Sequence, residues 1–74
     1  MPEHALRIWR QTRRPPLSQS DLARKLGLSR SYVHRVETGA RQIGLDLLPL
    51  ICRRTGLSPE ELRPDLTRLL QMRR

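Results

Sequence analysis

The sequence predicts a small all-α protein of five to six helices. Turn signals divide its 74 residues into short segments, and most of these carry apolar residues at helical spacing. Several segments also begin with a favourable N-cap residue and end at glycine or proline. No repeat, low-complexity tract or flexible linker separates them, and a chain this short has room for one domain. We therefore expect residues 1–74 to form a single helical domain.

The first predicted helix covers about residues 3–14. Its apolar residues are Leu6, Ile8 and Trp9, and we expect Trp9 to anchor in the core rather than to hold a ligand. The pair Pro15-Pro16 ends the helix, because proline disfavours the helical conformation in the residue before it.

Residues 18–38 predict two helices joined by a tight turn. Ser18, with Asp21 three residues later, is a favourable helix start, and Gly27 ends that helix. Its apolar residues are Leu22, Ala23 and Leu26. Ser29 then caps the second helix, so only two residues separate the two elements.

The helix that begins at Ser29 has two unlike faces. Val33 and Val36 share the apolar face, and Gly39 ends the helix before a loop at 40–44. The other face is polar and holds Arg30, Ser31, His34, Arg35 and Thr38. The pattern predicts a short amphipathic helix whose polar edge is exposed.

The last third of the chain predicts three shorter helices. Asp46 is expected to cap the first, because this leaves Pro49 in the first turn, where its missing amide hydrogen is not needed. The core-facing residues of that helix are Leu47, Leu48 and Ile51. The sequence Ser-Pro-Glu-Glu at 58–61 begins the second helix. The third, capped by Asp65, covers about residues 65–73.

Charge is the most distinctive feature of the composition. Fifteen basic residues against seven acidic ones give a formal net charge of +8, and Lys25 is the only lysine. The planar fork of arginine binds phosphate and guanine edges through paired hydrogen bonds. Composition alone leaves a polyanionic partner and a merely solvated basic surface as equal alternatives. The positions of the arginines must therefore decide between them.

The sequence gives no indication of catalysis, a cofactor or a metal. No cysteine, histidine and carboxylate residues stand at metal-ligand spacing. Cys52 and Ser31 lack an evident base, and no glycine-rich phosphate loop is present, so we expect no enzyme. No apolar run has the length of a signal peptide or a membrane span, and a single cysteine suits a reducing compartment. We expect a cytoplasmic protein with no membrane partner.

Residues 17–42 meet the requirement for two helices that cross closely at a fixed angle. Ala23 is small where the helices would otherwise collide, and Gly27 permits the reversal of the backbone. Val33 and Val36 pack beneath the second helix. The polar edge of that helix can then project outward, and a DNA major groove about 12 Å wide accepts such a helix.

This stretch resembles the helix-turn-helix domains of the Cro and lambda-repressor type, also called the Xre family. The matching positions of the motif are Gln19, Leu22, Ala23, Leu26, Gly27, Ser29, Val33, Val36, Glu37 and Gly39. Further matches are Leu47, Leu48, Ile51, Thr55, Gly56, Leu57, Glu61 and Leu62, so the resemblance covers roughly residues 5–63. The chain departs from the pattern at Pro15-Pro16 and at Ile43-Gly44. The resemblance implies a lambda-repressor-like fold that binds DNA.

The resemblance implies DNA contacts at the matching positions. The residues assigned to base edges are Arg30, Ser31, His34 and Arg35, and Arg30 is suited to guanine. The residues assigned to phosphates are Gln19, Ser29, Thr38, Arg41 and Gln42, and Gln19 would also brace Arg30. Tyr32 is assigned to packing rather than base stacking. Glu37 is assigned to an internal pair with an arginine, since a carboxylate does not face phosphates well.

We expect a sequence-specific regulator of transcription, a Cro-like repressor that binds a near-palindromic operator as a homodimer. It would be a bacterial nucleoid-associated protein or one encoded by a phage or plasmid. The alternative is an antitoxin-type module that neutralises a toxin partner and autoregulates its operon, which the ending EELRPDL also resembles. A third interpretation is unspecific coating of nucleic acid.

The C-terminal leucines have three interpretations: core, dimer seam or membrane-surface helix. The dimer is favoured, because so small a domain would bind one half-site weakly and a membrane-surface helix needs a longer apolar face. The candidate seam residues are Leu50, Leu66, Leu69 and Leu70.

Overall fold

A computed structural model describes residues 3–66 and 68, and it is all-α in this part of the chain. The helices are α1 (Ala5–Gln11), α2 (Gln19–Leu26), α3 (Arg30–Thr38), α4 (Leu48–Thr55) and α5 (Pro59–Leu62). Residues 64–66 are also helical and begin a sixth segment. The predicted all-α fold of five to six helices is confirmed.

Helices α2 and α3 begin and end where their capping residues indicated. The hydroxyl of Ser18 accepts a hydrogen bond from the amide of Asp21, whose carboxylate accepts one from the amide of Ser18, which completes a capping box. Ser29 caps α3 by accepting from the amide of Tyr32 at 3.1 Å. Between them Gly27 adopts a left-handed conformation with φ of 71°, which glycine adopts at little cost.

The core lies where α2 packs on α3 and α4. Its buried residues within the described part are all apolar: Leu6, Leu22, Ala23, Leu26, Val33, Val36, Ile43, Leu48, Ile51 and Leu62. Because Val33 and Val36 are inside this cluster, the opposite face of α3 is left in solvent. Trp9 is half-buried and packs against the same cluster, as predicted.

Helix α1 is shorter than predicted. It ends at Gln11, not near residue 14. The carbonyl oxygen of Trp9 accepts from the side chains of Thr12 and Arg13, each at 3.0 Å, and the chain then turns back. Side-chain donors therefore occupy a carbonyl that the next helical turn would have used.

The predicted cap of α4 is wrong. Leu47, not Asp46, precedes the helix, and it makes no side-chain capping bond. The carbonyl oxygen of Gly44 accepts from the amides of both Leu47 and Leu48 at 3.0 Å, so residues 45–47 form a turn that leads into the helix. Pro49 still lies in the first turn of α4, as expected.

The predicted cap of the last segment is also wrong. The helical residues begin at Pro64, so Asp65 lies inside the segment rather than before it. Proline is favourable at a first helical position because its φ is already helical. The carboxylate of Asp65 instead pairs with Arg63 at 2.6 Å. Of the predicted helix at 65–73, residues 67 and 69–73 lie outside the described part.

Candidate nucleic-acid interface

The four side chains assigned to base edges lie together on the exposed face of α3. Arg30, Ser31, His34 and Arg35 are all exposed. They border one open surface cleft of about 350 Å³. On the opposite face Val33 is fully buried in the core, which fixes the rotation of the helix about its own axis. The structure therefore brings together the residues that the sequence grouped.

The positive charge of this face is not neutralised within the described part of the protein. The ion pairs found there join Arg10 to Glu37, Arg24 to Asp21 and Arg63 to Asp65. Arg30 and Arg35 take part in none of them. A helix with uncompensated guanidinium groups on its exposed face is suited to a polyanion.

Glu37 lies behind this face and is paired with Arg10 of α1. The Nε and Nη2 atoms of Arg10 donate to the two carboxylate oxygens at 2.7 and 2.9 Å, and the Glu37 side chain is only 3% exposed. Burial raises the pKa of Glu37, but hydrogen bonds from Arg10 and Gln19 outweigh it, so the pKa lies below its usual value. The predicted internal pairing of Glu37 with an arginine is confirmed.

Gln19 connects the start of α2 to α3, but not to the residue that was expected. Its Nε2 atom lies 3.1 Å from Oε1 of Glu37 and 3.4 Å from Nδ1 of His34. The resemblance implied that Gln19 braces Arg30, whereas the hydrogen bonds found for Gln19 go to His34 and Glu37. The physical reason is position, because the start of α2 lies against the C-terminal half of α3.

Two hydroxyl groups assigned to phosphates already make hydrogen bonds inside the protein. Ser29 accepts from the amide of Tyr32, which leaves its own hydrogen available for a phosphate. Thr38 instead donates to the carbonyl oxygen of Arg35 at 3.2 Å. A hydroxyl has one hydrogen, so Thr38 must break this bond before it can donate to DNA.

The loop after α3 is held by Tyr32. The phenol oxygen accepts a hydrogen bond from the amide of Gly44 at 3.3 Å, and the guanidinium of Arg41 lies 5.1 Å from the ring centre, within range of a cation–π contact. The ring is half-buried against the core, so the assignment of Tyr32 to packing is confirmed. The Tyr32 ring on α3 therefore restricts the position of the exposed Arg41 side chain.

Arg63 holds the same loop from the other side, a role that sequence reasoning missed. Its Nη1 atom donates to the carbonyl oxygen of Ile43 at 3.0 Å, and Nη2 donates to Oε1 of Gln42 at 2.9 Å. The amide hydrogens of Gln42 remain available for a phosphate. No local signal marks this role of Arg63, because its partners in the loop are twenty or more residues away in the sequence.

Of the four leucines predicted to form a dimer seam, the two that the structure describes lie in different environments. Leu66 packs against the core, so at least part of its surface serves the fold of the protomer itself. Leu50 is half-buried on α4. Leu69 and Leu70 lie outside the described residues.

The described residues hold no group of three or more His, Cys, Asp or Glu side chains that could bind a metal ion. The Cys52 thiol is half-buried, and burial raises its pKa. No helix in the described part is long and apolar enough to cross a bilayer.

Two crossed helices with a glycine turn and a basic, exposed second helix define a helix-turn-helix DNA-binding domain. In agreement, residues 4–66 match a helix-turn-helix domain family of the Cro/C1 (Xre-like) type, and the chain belongs to that family. Its members are DNA-binding domains and are typically non-enzymatic. Comparison with curated proteins and with solved structures gave no match.

Proposed function

We propose that the protein is a sequence-specific regulator of transcription that places α3 in the major groove of an operator. The observation that supports this most is the shared cleft of Arg30, Ser31, His34 and Arg35, whose two guanidinium groups form no ion pair with any residue that the structure describes. A guanidinium can bind the O6 and N7 acceptors of guanine together, and a hydroxyl or imidazole can bind a further base edge.

Phosphate contacts would set the register of α3 in the groove. The residues suited to this role surround the base-contacting face and are Gln19, Ser29, Thr38, Arg41 and Gln42. Gln19 would act through its main-chain amide at the first position of α2, because its side-chain amide is directed at Glu37 and His34. Arg41 and Gln42 are supported by Tyr32 and Arg63, which restrict the loop that carries them. Contacts of this kind carry no sequence information, but they fix the position from which base edges are recognised.

The proposed regulator acts as a homodimeric repressor. A two-fold dimer would bind two half-sites about 34–36 Å apart and would exclude polymerase by occupying the operator. Of the two seam candidates among the described residues, the half-buried Leu50 is favoured, since Leu66 contributes to the core. Residues 1–74 would act as one domain, with regulation through the protein's own concentration, and a DNA partner fits an intracellular location.

Selection of bound sites from a random duplex pool tests this function. A near-palindromic consensus with two half-sites is the expected result. Binding of every duplex with equal affinity would contradict sequence-specific recognition and would favour unspecific coating. Sedimentation of the protein with the selected duplex should give two protomers per site, and one protomer per site would contradict the dimer.

Three variants then separate base recognition from phosphate binding. Arg30→Ala should weaken binding of the selected duplex by about 1–3 kcal/mol, roughly 5- to 150-fold, and should change binding of random duplex little. Arg41→Ala should weaken binding of the two duplexes to the same extent. It should also lower the magnitude of the slope of log affinity against log salt concentration by about 1. Arg53→Ala, which removes an exposed charge of α4 outside the proposed interface, is the matched control. Equal losses on both duplexes for Arg30→Ala would refute base recognition by Arg30.

A further inference from the structure

The hydrogen bonds of Gln19 link a buried ion pair to the exposed ring of His34. One atom, Nε2 of the Gln19 amide, lies 3.1 Å from Oε1 of Glu37 and 3.4 Å from Nδ1 of His34. His34 in turn borders the cleft of the proposed DNA-contacting face. The inference drawn from this link rests on the proposed function for its DNA step, but not for its first two steps.

In the first step, Glu37 fixes the direction of the Gln19 amide. An ionised carboxylate has only acceptors, so it requires the NH2 group of the amide and not the carbonyl oxygen. The opposite direction would place two acceptor oxygens against each other beside a carboxylate that is 3% exposed. Arg10 keeps this carboxylate ionised through its two hydrogen bonds.

In the second step, the Gln19 amide fixes the tautomer of His34. The NH2 group has two hydrogens, and with one directed at Glu37 the other can be donated to Nδ1 of His34. Nδ1 can accept only while it carries no hydrogen. The neutral ring must therefore carry its hydrogen on Nε2, on the other side of the ring from Gln19.

We propose that Glu37, acting through Gln19, holds His34 as the Nε2–H tautomer, so that α3 presents a hydrogen-bond donor to DNA at this position. A donor selects an acceptor, either a phosphate oxygen or an acceptor on a base edge. In the major groove guanine offers O6 and N7 and thymine offers O4, whereas cytosine offers only the donor N4–H2. Where the ring meets a base, His34 disfavours cytosine, and Glu37 and Gln19 are positioning residues.

The nitrogen chemical shifts of the His34 ring test the tautomer in the protein without DNA. At about pH 8 the native ring should carry its single hydrogen on Nε2. In Gln19→Glu the new carboxylate is repelled by Glu37, so it should turn to the exposed His34, act as an acceptor there and draw a hydrogen onto Nδ1. Ser20→Glu adds the same charge in the same helical turn on an exposed side chain, and it should leave the ring as in the native protein.

Two further variants test the role of Glu37. Glu37→Gln allows the Gln19 amide to point in either direction. Gln19→Met removes the hydrogen bond between Gln19 and the His34 ring, and it does so at a side chain that is only half-buried. Each variant should therefore give a mixture of His34 tautomers. If Glu37→Gln does not fold, Gln19→Met still decides. A native ring that carries its hydrogen on Nδ1, or rings alike in the native, Gln19→Glu and Gln19→Met proteins, would overturn the proposal.

Site selection with DNA tests the donor itself. The native protein should deplete cytosine at one position of each half-site, and Gln19→Glu should lose or reverse that depletion, while Ser20→Glu keeps it. If the acceptor is a phosphate, the base preferences stay unchanged. A single neutral methylphosphonate linkage in the duplex then weakens DNA binding by the native protein more than it weakens DNA binding by His34→Ala. If neither effect is found in a protein that binds its operator, the donor role of His34 is refuted. If no duplex is bound, the proposed function fails, and the ring spectra still decide the tautomer.

Discussion

The guanidinium of Arg10 and the carboxylate of Glu37 meet through two parallel hydrogen bonds across 27 positions of sequence. A third bond runs from Arg10 to the carbonyl oxygen of Leu17 at 3.2 Å. This one side chain therefore holds α1, the segment before α2 and the C-terminal half of α3 together. The exposed face of α3 thus depends on a residue that does not lie on it.

Loss of the guanidinium should destabilise the protein strongly. Arg10→Met keeps most of the aliphatic stem but leaves the Glu37 carboxylate without its charged partner, and removal of one partner of a buried pair costs about 3–5 kcal/mol. We expect the lower end of that range, because the Arg10 side chain is 14% exposed. Urea denaturation measures the free energy of unfolding.

The matched control for this pair is Arg24→Met. Arg24 lies 3.8 Å from Asp21 on the surface, with its side chain 80% exposed, so its loss should leave the free energy of unfolding almost unchanged. Similar losses in the two variants would contradict a structural role for the buried pair.

Weak acid should destabilise the protein through His4. The Nδ1 atom of His4 accepts a hydrogen bond from the amide of Leu6 at 3.1 Å and so caps α1, which a protonated ring cannot do. Burial lowers the pKa of His4, and the opposing effect of Glu37 is smaller. As the pH falls the unfolded chain therefore takes up the proton first. The stabilisation is complete above the unfolded pKa of about 6.5 and is lost between that value and the lower folded pKa.

His4→Asn tests this assignment, because asparagine can also cap a helix but does not titrate. Unfolding free energies measured in steps from about pH 8 to pH 5 should decline for the native protein and stay nearly level for the variant. Parallel declines would assign the pH dependence to other groups.

The turn between α2 and α3 should require a residue that tolerates a positive φ. Gly27 has φ of 71°, and a Cβ atom built there would meet nothing within 4 Å apart from its chain neighbours in the described structure. Gly27→Ala should therefore cost about 1–2 kcal/mol by conformation alone, and Gly27→Asn less. Denaturation curves of the three proteins check this order. Equal stability of all three would show that the turn adapts without cost.

The bounds of α2 and α3 could be predicted because the signals that set them are local. Ser18 and Ser29 bond to amides three residues away, and Gly27 ends α2 by its own backbone preference. The exposed face of α3 could also be predicted, since two buried valines fix its rotation. Local chemistry of this kind is visible in one sequence.

The errors arose where distant or competing partners decide. Asp46 was expected to cap α4, but the carbonyl oxygen of Gly44 already accepts from the amide of Leu48, and Pro49 has no amide hydrogen to donate to a cap. Gln19 was expected to contact Arg30, but the approach of α2 to α3 places it beside His34. The spacing of residues along the chain does not determine the angle at which α2 crosses α3. The contact between Gln19 and His34 therefore could not be predicted from the sequence.

The loop after α3 should depend on the forked shape of the Arg63 side chain. Arg63 donates to Ile43 and Gln42 of that loop and pairs with Asp65 at 2.6 Å, and this hydrogen bond lowers the pKa of Asp65 below its usual value. A guanidinium can reach three acceptors in different directions, whereas the donors of lysine lie on one nitrogen. Arg63→Lys therefore keeps the net charge but should release the loop.

Amide hydrogen exchange at Gly44 measures this release, because the amide of Gly44 lies in the loop and donates to the hydroxyl of Tyr32 at 3.3 Å. Exchange should be faster in Arg63→Lys, with a loss of about 1 kcal/mol in unfolding free energy for the hydrogen bonds removed. Arg53→Lys, the same change at an exposed position of α4, should alter neither quantity. If the loop makes the proposed phosphate contacts, specific and random duplexes would use it alike, and Arg63→Lys should weaken the binding of both to the same extent. Native exchange at Gly44 in Arg63→Lys would show that Tyr32 holds the loop without Arg63.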